Sequence, residues 1–261
     1  MRDAIGPAAI FALIGFLYMD QILKNYEVVQ GRIAGAAQRA GRSVAEIKLV
    51  AVCKQRPLAE VAIVYAAGQR DFGENRVEDC APKAAAAGRE FEVAGDAICW
   101  HMIGHLQSRK AQQAAEVFGI VHSVDGVKLA ARLGRAAEQA GRALPILLEC
   151  NVSGEQSKDG LAASDCAAGS VQWEQLVREV EMIAATPGVQ VRGLMTMAPV
   201  VAEPAAARPF FVALRVLRDR LAAQFGGLAF PELSMGMTDD FEVAIAEGAT
   251  IVRVGRAIFT S

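Results

Sequence analysis

The sequence predicts an α/β protein built as a single (β/α)8 barrel of the TIM type, and three observations support this prediction. Eight short apolar runs alternate with helical stretches along the 261 residues, and glycine or proline marks many of the stops. No Gly-x-Gly-x-x-Gly motif follows the first run, which disfavours a doubly wound open sheet. No stretch resembles a linker or a repeat. Such alternation is typical of parallel strands joined by crossover helices, and eight units at this length favour a closed barrel.

The predicted strands are short runs rich in valine, isoleucine and leucine, as strands covered on both faces require. They comprise residues 47–52, 70–72, 100–104, 120–124, 146–152, 191–195, 233–235 and 251–254. Alanine-rich or amphipathic stretches predict helices at 58–67, 77–87, 108–118, 127–140, 171–185, 205–225 and 239–247. Gly68, Gly141 and Pro187 each follow a predicted helix, where such residues commonly end one. The long polar loop 157–170 is predicted to be mobile and to lie at the catalytic end of the barrel.

The first 18 residues differ from the rest, so we divide the chain into an extension over 1–18 and a barrel over 19–261. Residues 4–19 are uncharged and largely apolar, but the run is short for a membrane span, which needs about 20 apolar residues. No net positive charge precedes it and no clear cleavage site follows, as a signal peptide would require. Three interpretations stay open: a mis-assigned start with Met19 as initiator, an anchor or signal, and an additional packed helix. After Met19 an amphipathic helix is predicted over 19–41, outside the barrel count.

Composition argues against several classes of function. The formal net charge is -2, whereas a nucleic-acid partner would require a basic patch or stripe. The five cysteines are widely spaced and form no Cys-x-x-Cys pair, and the chain has three histidines. This pattern predicts neither a disulfide framework nor a zinc site, and it fits a protein of the reducing cytoplasm. We expect no membrane partner.

Lys54 lies two residues after the end of the apolar run 47–52 and is the first candidate functional residue. In a barrel, the carboxyl ends of all strands converge on one face, which is where barrel enzymes hold their chemistry. Desolvation there would lower the pKa of a lysine amine and make it a nucleophile for a carbonyl group. The alternative is a lysine that simply extends into solvent, since lysine mostly lies at protein surfaces.

The segment after the seventh predicted strand is typical of a phosphate site. Ser234 and Gly236 lead into a helix that Thr238 or Asp239 is predicted to cap. A glycine turn into a helix start offers free backbone N–H groups, and the loops after barrel strands seven and eight often hold phosphate. Gly255 opens a second turn after the eighth strand. A simple helix-capping turn is the alternative interpretation.

Arg253 lies between Val252 and Val254 in the last predicted strand, and burying an arginine is costly unless it is paired. It therefore predicts a ligand or a carboxylate partner. His101 and His122 are interpreted as hydrogen-bonded core histidines or as site residues. An imine-forming lysine, a phosphate turn and a buried arginine in one barrel mouth suggest pyridoxal phosphate, although a Schiff-base aldolase would need the same lysine and phosphate site.

Six segments, taken in order, closely resemble the pyridoxal phosphate homeostasis proteins. They are LVAVCKQRP, AAGQRDFGENRVED, WHMIGHLQSRK, ECNVSGEQSKDG, RGLMTMAP and LSMGMTDDFEVAIAEGATIVRVGRAIF, and the match extends over most of residues 19–259. The resemblance implies a single (β/α)8 barrel similar to the amino-terminal domain of alanine racemase. It also implies a protein of intracellular vitamin B6 homeostasis, which holds pyridoxal 5'-phosphate as a lysine aldimine and buffers or delivers it without established catalytic turnover.

The resemblance implies seven cofactor-binding residues. Lys54 would be the aldimine lysine, Asn75 would lie near the ring, and Arg253 near the ring or the phosphate. The residues implied around the phosphate are Ser234, Gly236, Met237 and Gly255. No catalytic residue and no metal ligand is expected.

The chain departs from the family pattern at several positions near these motifs. Cys53 stands where serine is usual before the lysine, and Arg76 replaces a tyrosine after Gly-Glu-Asn. Arg109 replaces an asparagine, and Arg256 replaces a threonine after Gly255. The last change removes a hydroxyl from the implied phosphate site and adds a positive charge. The family also usually continues for a few residues beyond 261.

The alternative function is a pyridoxal phosphate-dependent amino-acid racemase. Racemases with this barrel add a second β domain, and their partner subunit supplies a tyrosine base, whereas this chain stops soon after the eighth predicted strand. None of Tyr18, Tyr26 and Tyr65 lies near a predicted strand carboxyl end, so a second acid-base group is missing. We therefore expect a non-catalytic, monomeric carrier whose recipients are enzymes that lack their pyridoxal phosphate.

Overall fold

A computed structural model of the chain describes residues 7–91 and 95–260, and it contains the predicted closed parallel barrel. Eight of its strands form the barrel wall. They are β1 (Lys48–Val52), β2 (Asp71–Glu74), β3 (Cys99–Met102), β4 (Ile120–Val124), β5 (Leu144–Asn151), β7 (Val189–Met195), β8 (Glu232–Ser234) and β9 (Ile251–Val254). A ninth strand, β6 (Leu161–Ala162), pairs with β5 outside the ring.

The barrel closes because the first strand pairs with the last and β4 pairs with β5. The register places Lys48 beside Ile251 and Asp71 beside Cys99, so the strand beginnings lie together at one end. Alternate residues of each strand face the interior. A small apolar cluster fills its middle, formed by Val50, Ile120, Leu147, Met195 and Ile251. The larger core lies between the outer faces of the strands and the surrounding helices.

Helices surround the barrel in the order expected for crossover connections. They are α1 (Pro7–Arg39), α2 (Leu58–Ala66), α3 (Val77–Glu90), α4 (Ala111–Val117), α5 (Val127–Gln139), α6 (Val171–Ala184), α7 (Arg208–Phe225), α8 (Phe241–Ala246) and α9 (Arg256–Phe259). Short 3-10 segments occur at Val44–Glu46, Ser108–Lys110 and Pro204–Ala207. Among the described residues, none of these helices combines the length and the apolar character that crossing a bilayer demands.

Helix α1 begins at Pro7, twelve residues before its predicted start, so residues 7–18 of the predicted extension belong to this helix. Proline suits the first turn of a helix because its missing N–H would have no partner there. Further along, Ile22, Tyr26, Val29 and Ile33 are buried at spacings of three and four, which is one face of a helix. Residues 1–6 of the predicted extension lie outside the described residues, and its division from the barrel stays a prediction.

Several predicted boundaries were wrong. Strand β3 ends at Met102 rather than at residue 104, and β2 continues to Glu74. The loop predicted to be mobile contains β6, whose Leu161 is buried. Helix α9 was not predicted, because a four-residue helix carries too little periodicity to detect.

Candidate functional site at the mouth of the barrel

A cavity of about 320 Å³ opens at the carboxyl ends of β1, β2 and β9. Lys54, Arg253 and Arg256 line it, and no carboxylate occurs among its described lining residues. The other lining residues are Val52, Asn75, Ile103, Gly104, Met197, Met237, Thr238 and Gly255. A cleft lined by one sign of charge concentrates ligands of the opposite sign, so this cavity favours a small anion. Five of the seven predicted site residues line it; Ser234 and Gly236 do not.

The backbone turn after β1 positions Lys54. The N–H of Arg56 donates to the carbonyl of Cys53 at 3.0 Å and closes the turn. Gln55 has a φ of 60°, a left-handed conformation that costs about 1 kcal/mol or more for a residue with a side chain. Cys53 is buried against the outer face of the barrel, whereas Lys54 is exposed. The amine therefore reaches both the cavity and the solvent.

A buried ion pair supports this turn from behind. Glu74 is fully buried at the end of β2, and the Lys83 ammonium of α3 contacts its Oε1. The same Lys83 Nζ donates to the Cys53 carbonyl at 3.0 Å. Burial, followed by the charge of Glu74, raises the pKa of the Cys53 thiol well above its usual range. The thiol stays protonated, and the residue before Lys54 is held by α3.

Arg253 points into the barrel two residues after the interior Ile251, and only 4% of it is exposed. Its Nη1 donates to Ser234 Oγ at 2.7 Å and its Nη2 to the Thr196 carbonyl at 3.0 Å. Both acceptors are neutral, so within the described part of the chain Arg253 has no direct carboxylate partner of the kind that the sequence allowed. Burial lowers the pKa of the guanidinium to about 10, while Glu149 and Asp240 oppose this effect. At neutral pH Arg253 is a charged group whose direct partners leave its charge uncompensated.

Ser234 lies behind Arg253 rather than on the cavity wall. Its Oγ is 2.9 Å from His122 Nδ1, and His122 Nε2 is 2.8 Å from His101 Nδ1. His101 Nε2 in turn is 2.8 Å from Asp71 Oδ1 at the start of β2. Burial lowers the pKa of both histidines, so both are neutral. They are hydrogen-bonded core histidines, as one of the two interpretations predicted.

Tight turns bring the backbone of β8 and β9 to the cavity. Gly236 has a φ of 93°, and a Cβ on it would lie 2.6 Å from the Cβ of Ala244 in α8. A Cβ on Gly255 would lie 2.9 Å from the Val52 carbonyl oxygen. Both positions therefore require glycine.

The predicted caps Thr238 and Asp239 were wrong. Helix α8 begins after Asp240, whose Oδ1 accepts from the Met237 N–H at 2.6 Å. The turn was expected to offer free backbone N–H groups to a phosphate, but its Met237 amide is bound by Asp240. Burial raises the pKa of Asp240, whereas the hydrogen bond from Met237 opposes this.

Glu149 is an ionisable residue inside the barrel that sequence reasoning missed. It follows the interior Leu147 by two residues in β5 and is 4% exposed. Burial, with help from Asp125 and Asp159, raises its pKa to about 7. A glutamate inside the apolar run 146–152 was the signal that could have identified it. Lys83 was also missed, and it carries no such signal.

The arginines that depart from the family pattern lie around the mouth. Arg256 is exposed and pairs with Asp239. Arg76 and Arg109 line a neighbouring cavity of about 520 Å³, which shares Asn75 and Gly104 with the first. Each of these substitutions therefore adds positive charge near the same opening.

Comparisons with known proteins agree with this architecture. The family model for the alanine racemase N-terminal domain matches residues 19–261. The pyridoxal phosphate homeostasis protein of Pseudomonas aeruginosa is 42% identical over 241 residues, which cover 92% of this chain and 96% of that protein. The pyridoxal phosphate homeostasis protein of Escherichia coli K12 is 37% identical over 247 residues, which cover 92% of this chain and 97% of that protein. The chain belongs to the pyridoxal phosphate homeostasis protein family.

A solved structure of a protein with a similar sequence has the same barrel fold. PipY of Synechococcus elongatus PCC7942, determined with pyridoxal phosphate bound, is 36% identical with a TM-score of 0.72. The similarity covers 87% of this chain and 99% of PipY. The family resemblance and the barrel fold predicted from the sequence are both confirmed.

Proposed function

We propose that this chain binds pyridoxal phosphate at the barrel mouth and buffers or delivers it in vitamin B6 homeostasis. The observation that carries the proposal is the cavity whose described lining includes an exposed lysine and two arginines but no carboxylate. An aldehyde that carries a phosphate dianion matches both features, since the amine can condense with it and the guanidinium groups attract its charge. The relatives' names and the pyridoxal phosphate in PipY support the same ligand.

Each lining residue then has a role that its position allows. Lys54 would hold the aldehyde carbon as a Schiff base, with release of one water. Asn75 would lie near the ring, and Arg253 would supply a fixed positive charge toward the ring or the phosphate. Met237 and Gly255 line the cavity where the phosphate would lie, Gly236 would shape the turn behind them, and Ser234 holds Arg253 in place. Arg256 adds a charge where the family has a hydroxyl.

A carrier fits the mouth better than a racemase does. The Tyr18 hydroxyl donates to Glu60, that of Tyr26 to Gln69, and that of Tyr65 to the Asp96 carbonyl. In the described part of the chain, then, no tyrosine lines the cavity to return a proton. We infer a cytoplasmic, monomeric protein without catalytic turnover, whose recipients are enzymes that need the cofactor.

Borohydride reduction of the protein loaded with pyridoxal phosphate tests the role of Lys54. The reduced adduct should map to the peptide that contains Lys54, and Lys54→Ala should lack both the adduct and the chromophore. Lys158→Ala is the matched control, because Lys158 donates to the Met197 carbonyl at the cavity rim but is paired with Glu155. A label on Lys158 or Lys110 would show that the assignment is wrong.

Two further assays separate binding from function. The loaded protein, incubated with L- and D-amino acids, should show no sustained racemisation, transamination or decarboxylation. Multiple turnovers that Lys54→Ala abolishes would overturn the non-catalytic proposal. Mixed with an enzyme that lacks its cofactor, the loaded protein should activate it faster than free pyridoxal phosphate does. Activation that is no faster than with free pyridoxal phosphate would show that the protein does not deliver the cofactor.

A further inference from the structure

The opposite end of the barrel gathers three side chains that commonly bind metals. Asp71, Cys99 and His101 each place one donor atom within 4.8 Å of the other two. The parallel register puts Asp71 directly beside Cys99, and His101 follows Cys99 by two residues on the same face of β3. All three therefore point into the barrel at its amino-terminal end, and the proposed function does not use this end.

We propose that Asp71, Cys99 and His101 bind a divalent transition-metal ion of the Zn²⁺ class. A thiolate, an imidazole and a carboxylate are the ligand types that Zn²⁺ takes, and three protein ligands leave a fourth position for water. In a tetrahedral site such ligand atoms lie about 3.5 Å apart. Asp71 Oδ1 and His101 Nε2 are already 2.8 Å apart, so small side-chain rotations suffice. Binding displaces the thiol proton of Cys99 to water, and the thiolate sulfur supplies the electron pair.

The hydrogen-bonded partner that metal-binding histidines usually have is already in place. Such a histidine commonly hydrogen-bonds through its other ring nitrogen, which fixes the ring. Here His101 Nδ1 is 2.8 Å from His122 Nε2, and His122 Nδ1 is 2.9 Å from Ser234 Oγ. Both histidines are almost fully buried, so the orientation of His101 is set by the barrel.

The metal would reverse the direction of this hydrogen-bond chain. Without metal, the Asp71 carboxylate accepts from His101 Nε2–H, so His101 Nδ1 accepts from His122 and His122 Nδ1 accepts from Ser234. A metal on His101 Nε2 requires the proton on Nδ1 instead. His122 then carries its proton on Nδ1 and donates to Ser234 Oγ. Each histidine keeps one proton, and the Ser234 hydroxyl proton turns away from His122.

The positive charge of Lys48 beside Asp71 opposes the metal. The Lys48 ammonium is 3.4 Å from Asp71 Oδ1, and its side chain is 45% exposed. A half-exposed lysine can turn into solvent, and the Asp71 side chain, 23% exposed, gives an ion access from that end. The Lys48→Met substitution should therefore increase the affinity for the metal. If the three side chains had only a structural role, the substitution would not change metal binding.

Cobalt(II) is the probe that tests the site, because a thiolate ligand gives it a charge-transfer absorption in the near ultraviolet. We expect this absorption in a difference spectrum of the full chain with and without Co²⁺, and its loss on addition of Zn²⁺. Cys99→Ser should abolish it, whereas Cys166→Ser, the matched control at a partly exposed thiol elsewhere, should retain it. No absorption in the parent, or its persistence in Cys99→Ser, would overturn the proposal.

Calorimetric titration with Zn²⁺ supplies a second readout. His122→Asn leaves all three ligands in place but changes the partner of His101, and it should weaken Zn²⁺ binding about tenfold or more. Asp71→Asn should weaken it as well, and Lys48→Met should strengthen it. If His122→Asn and Asp71→Asn both bind Zn²⁺ as tightly as the parent, the metal lies elsewhere. Circular dichroism of each variant checks that the barrel is intact.

Discussion

Replacing Glu149 by glutamine tests the electrostatic cost of an acid buried inside the barrel. Burial raises the pKa of Glu149 from an ordinary 4.5 to about 7, so the folded chain binds this proton more tightly than the unfolded chain. The stability that the proton contributes is complete below pH 4.5 and is lost as the pH rises to about 7. Because a tenfold change in proton affinity equals about 1.4 kcal/mol, ionisation should lower the free energy of unfolding by about 3 kcal/mol.

Glutamine has nearly the same shape and stays neutral, so Glu149→Gln removes this pH dependence. Urea unfolding followed by circular dichroism at several pH values from about 4.5 to about 8.5 measures the effect. The variant should gain about 3 kcal/mol relative to the parent between the ends of this range, with the change centred between the two pKa values. Glu181→Gln, at an exposed position of α6, is the matched control and should show no such trend. A difference that is flat with pH, or that shrinks as the pH rises, would refute the reasoning.

Four other substitutions probe the site and its support. Lys83→Met should destabilise the chain by about 3 to 5 kcal/mol in urea unfolding, because Glu74 would keep a buried charge without its partner, and adding Glu74→Gln should restore much of the loss. Ser234→Ala should weaken pyridoxal phosphate retention by about 1 kcal/mol in equilibrium dialysis, and Arg253→Ala by about 2 to 3 kcal/mol. Gly236→Ala should lower the free energy of unfolding by about 1 to 3 kcal/mol, since its left-handed φ and the contact with α8 both exclude a Cβ.

Specific outcomes would contradict three of these expectations. A Lys83→Met variant as stable as the parent would mean that Glu74 is not held as a buried charge. Arg253→Ala with unchanged retention would remove Arg253 from the binding site. A fully stable Gly236→Ala would show that the turn before α8 adapts to a side chain.

The barrel was predictable because its strands are buried on both faces and therefore stand out as apolar runs. Residues 120–124 and 251–254 were predicted with their observed limits for this reason. The two-residue β6 and the four-residue α9 are too short to show a period. The start of α1 at Pro7 was missed because its apolar first half looked unlike the amphipathic stretch after Met19.

The sequence predicted the residues that reach the cavity because they follow the end of a strand. It did not predict the residues whose place depends on the direction of the side chain. Lys54 and Asn75 follow strands and reach the mouth, as any residue there would. Ser234 also ends a strand, but its inward side chain meets Arg253 and His122 instead of the cavity. The meeting of Asp71 with Cys99 depends on the pairing of β2 with β3, which no spacing pattern within one segment reveals.

The anchored turn beneath Lys54 affects how reversibly a cofactor can be held. Lys83 and the Arg56 amide both bind the Cys53 carbonyl, so the backbone of this turn is fixed before any ligand arrives. Ordering a loop residue costs about 1 to 2 kcal/mol, and immobilising a lysine side chain costs about 2 kcal/mol. Loading the proposed carrier would therefore order little more than one side chain. Little binding free energy would be lost to ordering, so a few modest contacts would suffice to hold the cofactor. Because those contacts are modest, the cofactor would also dissociate readily.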